Sequence, residues 1–324
     1  MRKTWQWVFC GVFVLGCSSS PTIVERATNA DANPEALEPK AAPKPLEVGL
    51  KRLTSKGYER YRHSDFAGAI QQWEPVWLTT GRSTDTWTPS LLYYCYLATG
   101  QYAKALAMGE AELKRNPHGP LGYHQIGMAA LWLGKYKDAE QALRQAAEFD
   151  DRPADVFFHL GLALQRQNKK GESEKLFDRG EEEYGVILKS NPSDFPANYG
   201  LAYSYLYRGK NTEQAIEKIK NARESLRINP DVELTPDKNL YLGFYLPLLE
   251  GIAASRQGNA RDAIEPLLTA LQNSPSGARA DLAEVYHFLG KSLKELGETA
   301  PSKAYLAKAV ELDPFGPYAK VKVP

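Results

Sequence analysis

The chain has 324 residues, of which 43% are hydrophobic and 24% are charged, and its formal net charge is +1. These values are typical of a folded globular protein and argue against a chain that stays unfolded along its whole length. No block of basic residues marks a nucleic-acid-binding surface, so no nucleic-acid partner is predicted.

The first 16 residues have the pattern of a signal peptide. Arg2 and Lys3 precede a short apolar run, Val8–Gly16. A run of this length is too short to span a bilayer as a helix of the mature protein, but it suits the apolar region of a signal that is removed. We therefore predict that residues 1–16 are not part of the fold.

The run ends in Val14-Leu15-Gly16-Cys17, which resembles the bacterial lipoprotein signal, although the usual residue at the position of Val14 is Leu. The resemblance implies that Cys17 becomes the new N-terminus and carries lipid, including palmitate. Ser18, in place of an acidic residue, resembles lipoproteins of the outer membrane that face the periplasm. An ordinary secretory signal cleaved nearby is the alternative.

Residues 17–47 follow as a predicted tether. They are rich in Pro, Ala, Glu and Asn and show no apolar period, which is typical of a disordered segment. Such a tether would let a folded domain stand away from a membrane.

The region that follows repeats itself every 34 residues. Leu92 returns as Ile126 and Leu160, and Gly100 returns as Gly134. A fixed period in this range indicates a solenoid, in which each unit stacks on its neighbours to bury an apolar face. Two marks recur as predicted helix ends: a glycine able to adopt a left-handed conformation, and a proline one helix later. The glycines are Gly100, Gly134, Gly209, Gly258 and Gly297, and the prolines are Pro117, Pro192, Pro230, Pro275 and Pro314.

The phrases Gly-Gln-Tyr-Ala-Lys-Ala at 100–105 and Gly-Lys-Tyr-Lys-Asp-Ala at 134–139 closely resemble the tetratricopeptide repeat. The resemblance implies an all-α, right-handed solenoid of about seven helix-turn-helix repeats over residues 48–316, followed by a tail at 317–324. The units are Leu50–Ser83, Thr86–Gly119, Pro120–Pro153, Ala154–Pro192, Phe195–Pro230, Phe244–Gly277 and Ala283–Gly316.

The middle of the array departs from the period. The fourth unit has about two extra helical turns, the fifth has a longer second helix, and residues 231–243 form an irregular insert in which Thr235-Pro236-Asp237 predicts a helix start. Two shorter arrays, divided near residues 190–195 or 231–236, are the alternative to one continuous superhelix.

In the resembled family the first helices line a concave groove, and the matching positions here are mostly aromatic. Exposed aromatic side chains are common at protein interfaces, whereas aromatics at helical spacing are also common in cores. Both interpretations stay open, although the neighbours Tyr93 and Tyr94 predict that at least one of them lies off the core. The predicted groove residues are Tyr58, Tyr61, Trp87, Tyr94, His124, Met128, Phe158, Tyr199, Tyr203 and Tyr245.

No catalytic, metal or cofactor site is predicted. The five histidines form no metal-binding phrase, and the chain has neither a phosphate-binding loop nor a nucleophile elbow. Cys95 falls where other repeats have Ala or Ser, so it is interpreted as a small packed side chain. We therefore expect a non-enzymatic protein.

The predicted function is that of a lipid-anchored adaptor whose groove binds a protein or peptide during assembly of an envelope complex, such as pilus, secretion or cell-wall machinery. The partner and the oligomeric state are not predicted. A subclass of the family holds acidic C-terminal peptides with a Lys/Asn clamp, but the matching positions here are mostly aromatic or apolar, which argues against that subclass. A glycan-binding protein of the envelope is the alternative, because aromatic faces also stack on sugars.

Overall fold

The computed structural model describes residues 6–8, 12–14, 55–80, 88–149, 154–229, 238–275 and 280–314. Within these ranges the chain is helical, apart from turns and one antiparallel ladder between β1 (Gln6–Val8) and β2 (Val12–Val14). The predicted all-α solenoid is confirmed. β1 and β2 lie within the predicted signal peptide, whereas Cys17, the tether and residues 317–324 lie outside the described residues.

The described residues contain fourteen helices. The eleventh, α11, begins with Lys238–Leu240, passes through a π-helical stretch at Tyr241–Tyr245 and ends with Leu246–Arg256. The others are α1 at 55–62, α2 Phe66–Thr80, α3 Thr88–Ala98, α4 Tyr102–Arg115, α5 Pro120–Trp132, α6 Tyr136–Phe149, α7 Ala154–Arg166, α8 Lys170–Ser190, α9 Phe195–Arg208, α10 Thr212–Ile228, α12 Ala260–Gln272, α13 Ala280–Glu295 and α14 Thr299–Leu312.

The helices form seven consecutive pairs, each with an odd-numbered first helix and an even-numbered second helix, and each pair packs on the next. The turn glycines have the left-handed backbone expected of them; Gly100 and Gly209, for example, have φ of 73° and 67°. These values close the first helix and let the chain reverse. Among the described residues, no helix combines the length and the apolar character needed to cross a membrane.

The two helices of a unit approach each other closely at a glycine of the first helix. A Cβ on Gly127 would lie 2.4 Å from Cγ of Leu143, and one on Gly251 would lie 2.4 Å from Cγ of Leu267. In both cases the partner lies sixteen residues along the chain, on the second helix of the same unit. Since real Cβ contacts are longer, the absent side chain is what lets these helices pack.

The irregular middle is helical for much of its length. α8 has 21 residues and α10 has 17, which confirms the predicted extra turns. The last residues of the predicted insert, 238–243, belong to α11, so the first helix of the sixth unit begins six residues earlier than the register placed it. Thr235-Pro236-Asp237 lies outside the described residues.

The fourth and fifth units are joined by charge as well as by packing. Arg208 at the end of α9 pairs with Glu174 at 2.6 Å, Asp178 at 2.8 Å and Glu181 at 2.7 Å, all on α8. Its side chain is only 6% exposed, so the three carboxylates compensate a guanidinium that has left water. α10 also packs on α11 across the other suggested break. The described helices therefore stack without a gap at either break.

We expect Gly251→Ala to destabilise the protein by about 1–3 kcal/mol, because its methyl group would overlap Leu267 between α11 and α12. The free energy of unfolding in urea measures this cost. The matched control is Gly185→Ala in α8, where the added methyl meets nothing within 4 Å. Alanine favours a helix by about 1 kcal/mol over glycine, so the control gains stability. Equal losses at both positions would contradict the close packing.

Candidate binding site on the inner side

First helices that are far apart in sequence meet on one side of the array, which we call the inner side. The hydroxyl oxygens of Tyr94 on α3 and Tyr245 on α11 lie 2.7 Å apart, although the residues are separated by 151 positions. The second and sixth units therefore touch through their first helices. The array curves far enough for these helices to converge, which crowds the inner side.

Most of the predicted groove residues are buried there. Seven of the ten are at most 9% exposed, Tyr58 and Tyr203 are half-buried, and Trp87 lies outside the described residues. Burial favours the core interpretation that the sequence left open for those seven, and any role for them in binding a partner stays a prediction. The seven are Tyr61, Tyr94, His124, Met128, Phe158, Tyr199 and Tyr245.

The expectation that Tyr93 or Tyr94 lies off the core is wrong. Tyr93 is 2% exposed and Tyr94 is 1% exposed. They do leave α3 in different directions, since the Tyr93 hydroxyl donates to the backbone carbonyl of Gln125 at 2.8 Å while Tyr94 reaches Tyr245. Both are buried because α3 is covered by neighbours on more than one side, a situation that the spacing rule for a half-exposed helix does not describe.

A chain of hydroxyl groups ends at a carboxylate on the inner side. Tyr245 donates to Oδ2 of Asp281 on α13 at 3.2 Å, so the hydrogen bond between the two tyrosines takes its proton from Tyr94. Burial raises the pKa of Asp281 from its ordinary 3.8 to about 6, and the hydrogen bond from Tyr245 opposes part of that rise. The second, sixth and seventh units meet at these hydrogen bonds.

Two histidines face each other at the third and fourth units. Nε2 of His124 and Nδ1 of His159 lie 3.5 Å apart, and both side chains are buried. Burial lowers the pKa of His124 to about 4, and burial together with the proximity of His124 lowers the pKa of His159. Both rings are therefore neutral at pH 7, and the pair is a packed part of the core.

The structure offers little support for chemistry at the other candidate groups. Cys95 is fully buried and unpaired, and burial raises the pKa of its thiol well above the ordinary range, so it is packed as the sequence predicts. Among the described residues, no group of three or more His, Cys, Asp or Glu side chains could hold a metal ion.

One cleft on the inner side is lined by the first helices of the last three units. We call it the Arg256 cleft. It is partly open to solvent, and the space inside it is about 10 Å³, which is room for one water molecule. The cleft is therefore far smaller than the roughly 300–1,000 Å³ of a typical small-molecule pocket. Its lining residues are Tyr203, Leu206 and Tyr207 of α9, Leu249, Ile252 and Arg256 of α11, and Glu284 of α13.

Aromatic contacts hold the cleft wall in place. The rings of Tyr203 and Tyr207 stack with centroids 6.3 Å apart, and each meets the Phe158 ring edge-on. Nη2 of Arg166, at the end of α7, donates to the Tyr207 hydroxyl at 3.1 Å. The wall is therefore a fixed surface with a cation at its edge.

The groove prediction included Tyr203 but missed Arg256, which lines the cleft, and Arg166, which holds the Tyr207 hydroxyl. Arg166, Arg208 and Arg256 all lie in the last turn of a first helix, in three consecutive units. This recurrence is visible in the sequence and could have drawn attention to them. Whether each arginine has a carboxylate partner depends on the neighbouring unit, and no local pattern shows it.

Comparisons with known proteins agree with this architecture. Family profiles described as tetratricopeptide repeat match residues 124–185 and 283–315. No curated protein was found to match the sequence. Together with the helix pairs, the two profile matches support a protein built of tetratricopeptide repeats.

Solved structures are similar to this fold to different degrees. A chain of the APC/C hetero-tetramer Cut9–Hcn1 is 15% identical with a TM-score of 0.57, over 83% of this chain and 48% of that one. This protein therefore spans about half the length of that chain. A tetratricopeptide repeat protein of Parabacteroides merdae is 14% identical with a TM-score of 0.45, over 82% of this chain and 93% of that one. A thermophilic repeat protein of Thermus thermophilus is 20% identical with a TM-score of 0.43, over 56% and 94%.

The raised pKa of Asp281 predicts a pH-dependent stability. A carboxyl whose pKa rises on folding adds stability at low pH, and this contribution is lost as the pH rises from 3.8 through about 6. We expect Asp281→Asn, which cannot ionise, to be more stable than the natural protein at pH 7.5, by up to about 3 kcal/mol. The advantage should vanish near pH 4. Urea unfolding at both pH values measures the difference.

Asp262→Asn is the control, because Asp262 is an exposed carboxyl in the first turn of α12. Its effect should stay within about 0.5 kcal/mol at both pH values. If Asp281→Asn were the less stable protein at pH 7.5, the charged form of Asp281 would be the favoured one and our interpretation of this group would be wrong.

Proposed function

We propose that this protein is a lipid-anchored interaction scaffold of the bacterial envelope, which binds a segment of a protein partner on its inner side. The observation that carries the proposal is the tetratricopeptide-repeat array itself, since arrays of this family are interaction scaffolds. The coarse role, protein–protein interaction, follows from the family. The anchor, the location and the partner are the parts that we propose.

The anchoring part of the proposal rests on the sequence around Cys17. An apolar run ends at Val14-Leu15-Gly16-Cys17, and a Pro- and Ala-rich stretch separates it from the first described helix at residue 55. A lipid there would hold the array near the outer membrane and raise the local concentration of any captured partner.

The binding part rests on the shape and chemistry of the inner side. First helices from five different units contribute there, and the partly exposed rings of Tyr203 and Tyr207 line its cleft. The Arg256 cleft adds a small, partly open depression to this surface. Aromatic and arginine side chains carry much of the free energy of protein interfaces, so this part of the surface suits a partner segment.

We expect Cys17→Ala to abolish incorporation of labelled palmitate and to move the protein from the membrane fraction to the soluble periplasmic fraction. The reason is that Cys17 is the only residue in the motif that can take the lipid. Cys95→Ala is the matched control, because that thiol is buried and should leave both measurements unchanged. Unaltered membrane association of Cys17→Ala would show that Cys17 does not anchor the chain.

Capture of a partner is tested by crosslinking in intact cells. We expect Tyr203→Ala to reduce the crosslinked partner by at least fivefold, because it removes one ring of the stacked pair on the inner side. Tyr305→Ala is the matched control, since it removes one ring of another stacked pair, Tyr286–Tyr305, on a second helix. Circular dichroism of both purified variants checks that they stay folded.

Two further results separate protein binding from glycan binding. Equal capture by the natural protein and the Tyr203 variant would place the partner elsewhere and contradict binding on the inner side. Retention of the natural chain on protease-treated peptidoglycan sacculi, lost in Tyr203→Ala, would favour the glycan-binding alternative, because no protein would then be present to capture.

A further inference from the structure

The third and fourth units bring two buried histidines edge to edge. Nε2 of His124 on α5 and Nδ1 of His159 on α7 lie 3.5 Å apart, while the ring centroids lie 5.5 Å apart. The two nitrogens are therefore on the facing edges of the rings. The residues are separated by 35 positions, so the sequence contains no metal-binding phrase at this place.

The distance between these nitrogens suits two ligands of one metal ion. A histidine nitrogen lies about 2.0–2.1 Å from an ion such as zinc, so two of them on one ion are at most about 4.2 Å apart. The separation of 3.5 Å is below that limit, and an ion between the rings could bond to both. A neutral imidazole has one nitrogen with a lone pair, which is the atom that binds a metal.

A methionine lies on the same face of α5 as His124. Met128 follows His124 by one helical turn and is 2% exposed. Long side chains on a helix lean toward its N-terminus, so the geometry of α5 brings the thioether of Met128 toward the two imidazole rings. This combination differs from groups of His, Cys, Asp or Glu alone, of which the described residues contain none that could hold a metal ion.

The surroundings of these side chains are apolar. The Phe158 ring meets the His159 ring edge-on with centroids 5.5 Å apart, and Phe158 and Met128 belong to one hydrophobic core. Asp155, one turn before His159, is buried, and its carboxylate accepts a hydrogen bond from the Tyr184 hydroxyl. Because the free-energy cost of burying an ion grows with the square of its charge, this environment favours a monovalent ion over a divalent one.

We propose that His124, His159 and Met128 bind one Cu(I) ion. Thioether and imidazole ligands suit copper, whereas Mg(II) and Ca(II) prefer oxygen ligands, and the single charge of Cu(I) suits a buried set of neutral ligands. His124 is 9% exposed and His159 is 3% exposed, so the ion would enter from the side of His124. The bound ion would fasten the third unit to the fourth. This role goes beyond the proposed function, because the site lies between two units and needs no partner.

The test is an anaerobic titration of the purified full chain with Cu(I), in competition with the chromogenic chelator ferrozine. The three cysteines, Cys10, Cys17 and Cys95, are replaced by alanine throughout so that no thiol contributes. We expect the chain to retain one Cu(I) after desalting, and X-ray absorption of the loaded protein should show two nitrogen neighbours and one sulfur neighbour. Zn(II) should bind at least a hundredfold more weakly.

Variants assign the ion to the methionine. Met128→Leu removes the sulfur and keeps the volume, so it should weaken Cu(I) binding about tenfold and leave the metal-free protein folded. Met108→Leu is the matched control, because Met108 is also buried but lies on α4, and it should bind Cu(I) as the parent chain does.

A second pair of variants assigns the ion to the histidines. His159→Phe should weaken Cu(I) binding at least a hundredfold, whereas His287→Phe on α13 should leave it unchanged. Cu(I) should also raise the unfolding temperature of the parent chain and of His287→Phe but not that of His159→Phe, since an ion that binds only the folded state stabilises it.

Several results would overturn this inference: a chain that retains no Cu(I), X-ray absorption without a sulfur neighbour, a Met128→Leu variant that binds as tightly as the parent chain, or tighter binding of Zn(II) than of Cu(I). If His159→Phe fails to fold, the methionine variants and the X-ray absorption still decide. Partner capture that depends on Tyr203 is measured without added copper, so this inference and the proposed function fail separately.

Discussion

The close contact between the two helices of each unit is the constraint on which the rest of this structure depends. Gly127 and Gly251 have no side chain on the face of the first helix that meets the second helix. A leucine from the second helix fills the space in each case. Two helices in such contact form a thin unit with apolar surface on both faces, which is stable only when neighbours cover it. Stacking therefore follows from the packing inside the unit, and the curvature of the array follows from the way the units stack.

That curvature decides which residues remain accessible. Because the first helices converge, residues such as Tyr94 and Tyr199 meet other first helices and are buried, whereas Tyr203 and Tyr207 border a cleft. The distribution of charge follows the same geometry. The three carboxylates that pair with Arg208 at the end of α9 all lie in the first twelve residues of α8.

Much of the architecture could be predicted from the sequence, because it is set by local rules. A glycine that ends a helix, a proline that follows the next helix and a period of 34 residues each depend on a few neighbouring positions, and these marks were sufficient to place seven units. The longer α8 was also visible, since the extra residues lie between two such marks. The early start of α11 could not be predicted from the sequence, because Tyr241–Tyr245 forms a π-helical stretch that the 3.6-residue period does not describe.

The accessibility of the inner aromatics could not be predicted in the same way. The contact between Tyr94 and Tyr245 spans 151 residues and depends on small rotations summed over four units. A spacing rule for one helix does not include these rotations. For this reason the sequence predicted that Tyr93 or Tyr94 lies off the core, although both are buried. Arg256 lies over the Phe288 ring of α13, and this contact is likewise a property of the neighbouring unit.

The contact between the second and sixth units also bears on how the array comes apart. In a repeat array with contacts between neighbours alone, terminal units can fray one at a time, and each loss costs only one interface. Here the hydrogen-bonded path from Tyr94 through Tyr245 to Asp281 connects the two ends of a six-unit span. Fraying at either end of that span must break this path as well as an interface. Such a long-range contact makes unfolding more cooperative, so the units between Tyr94 and Asp281 should resist mechanical pulling together rather than one at a time.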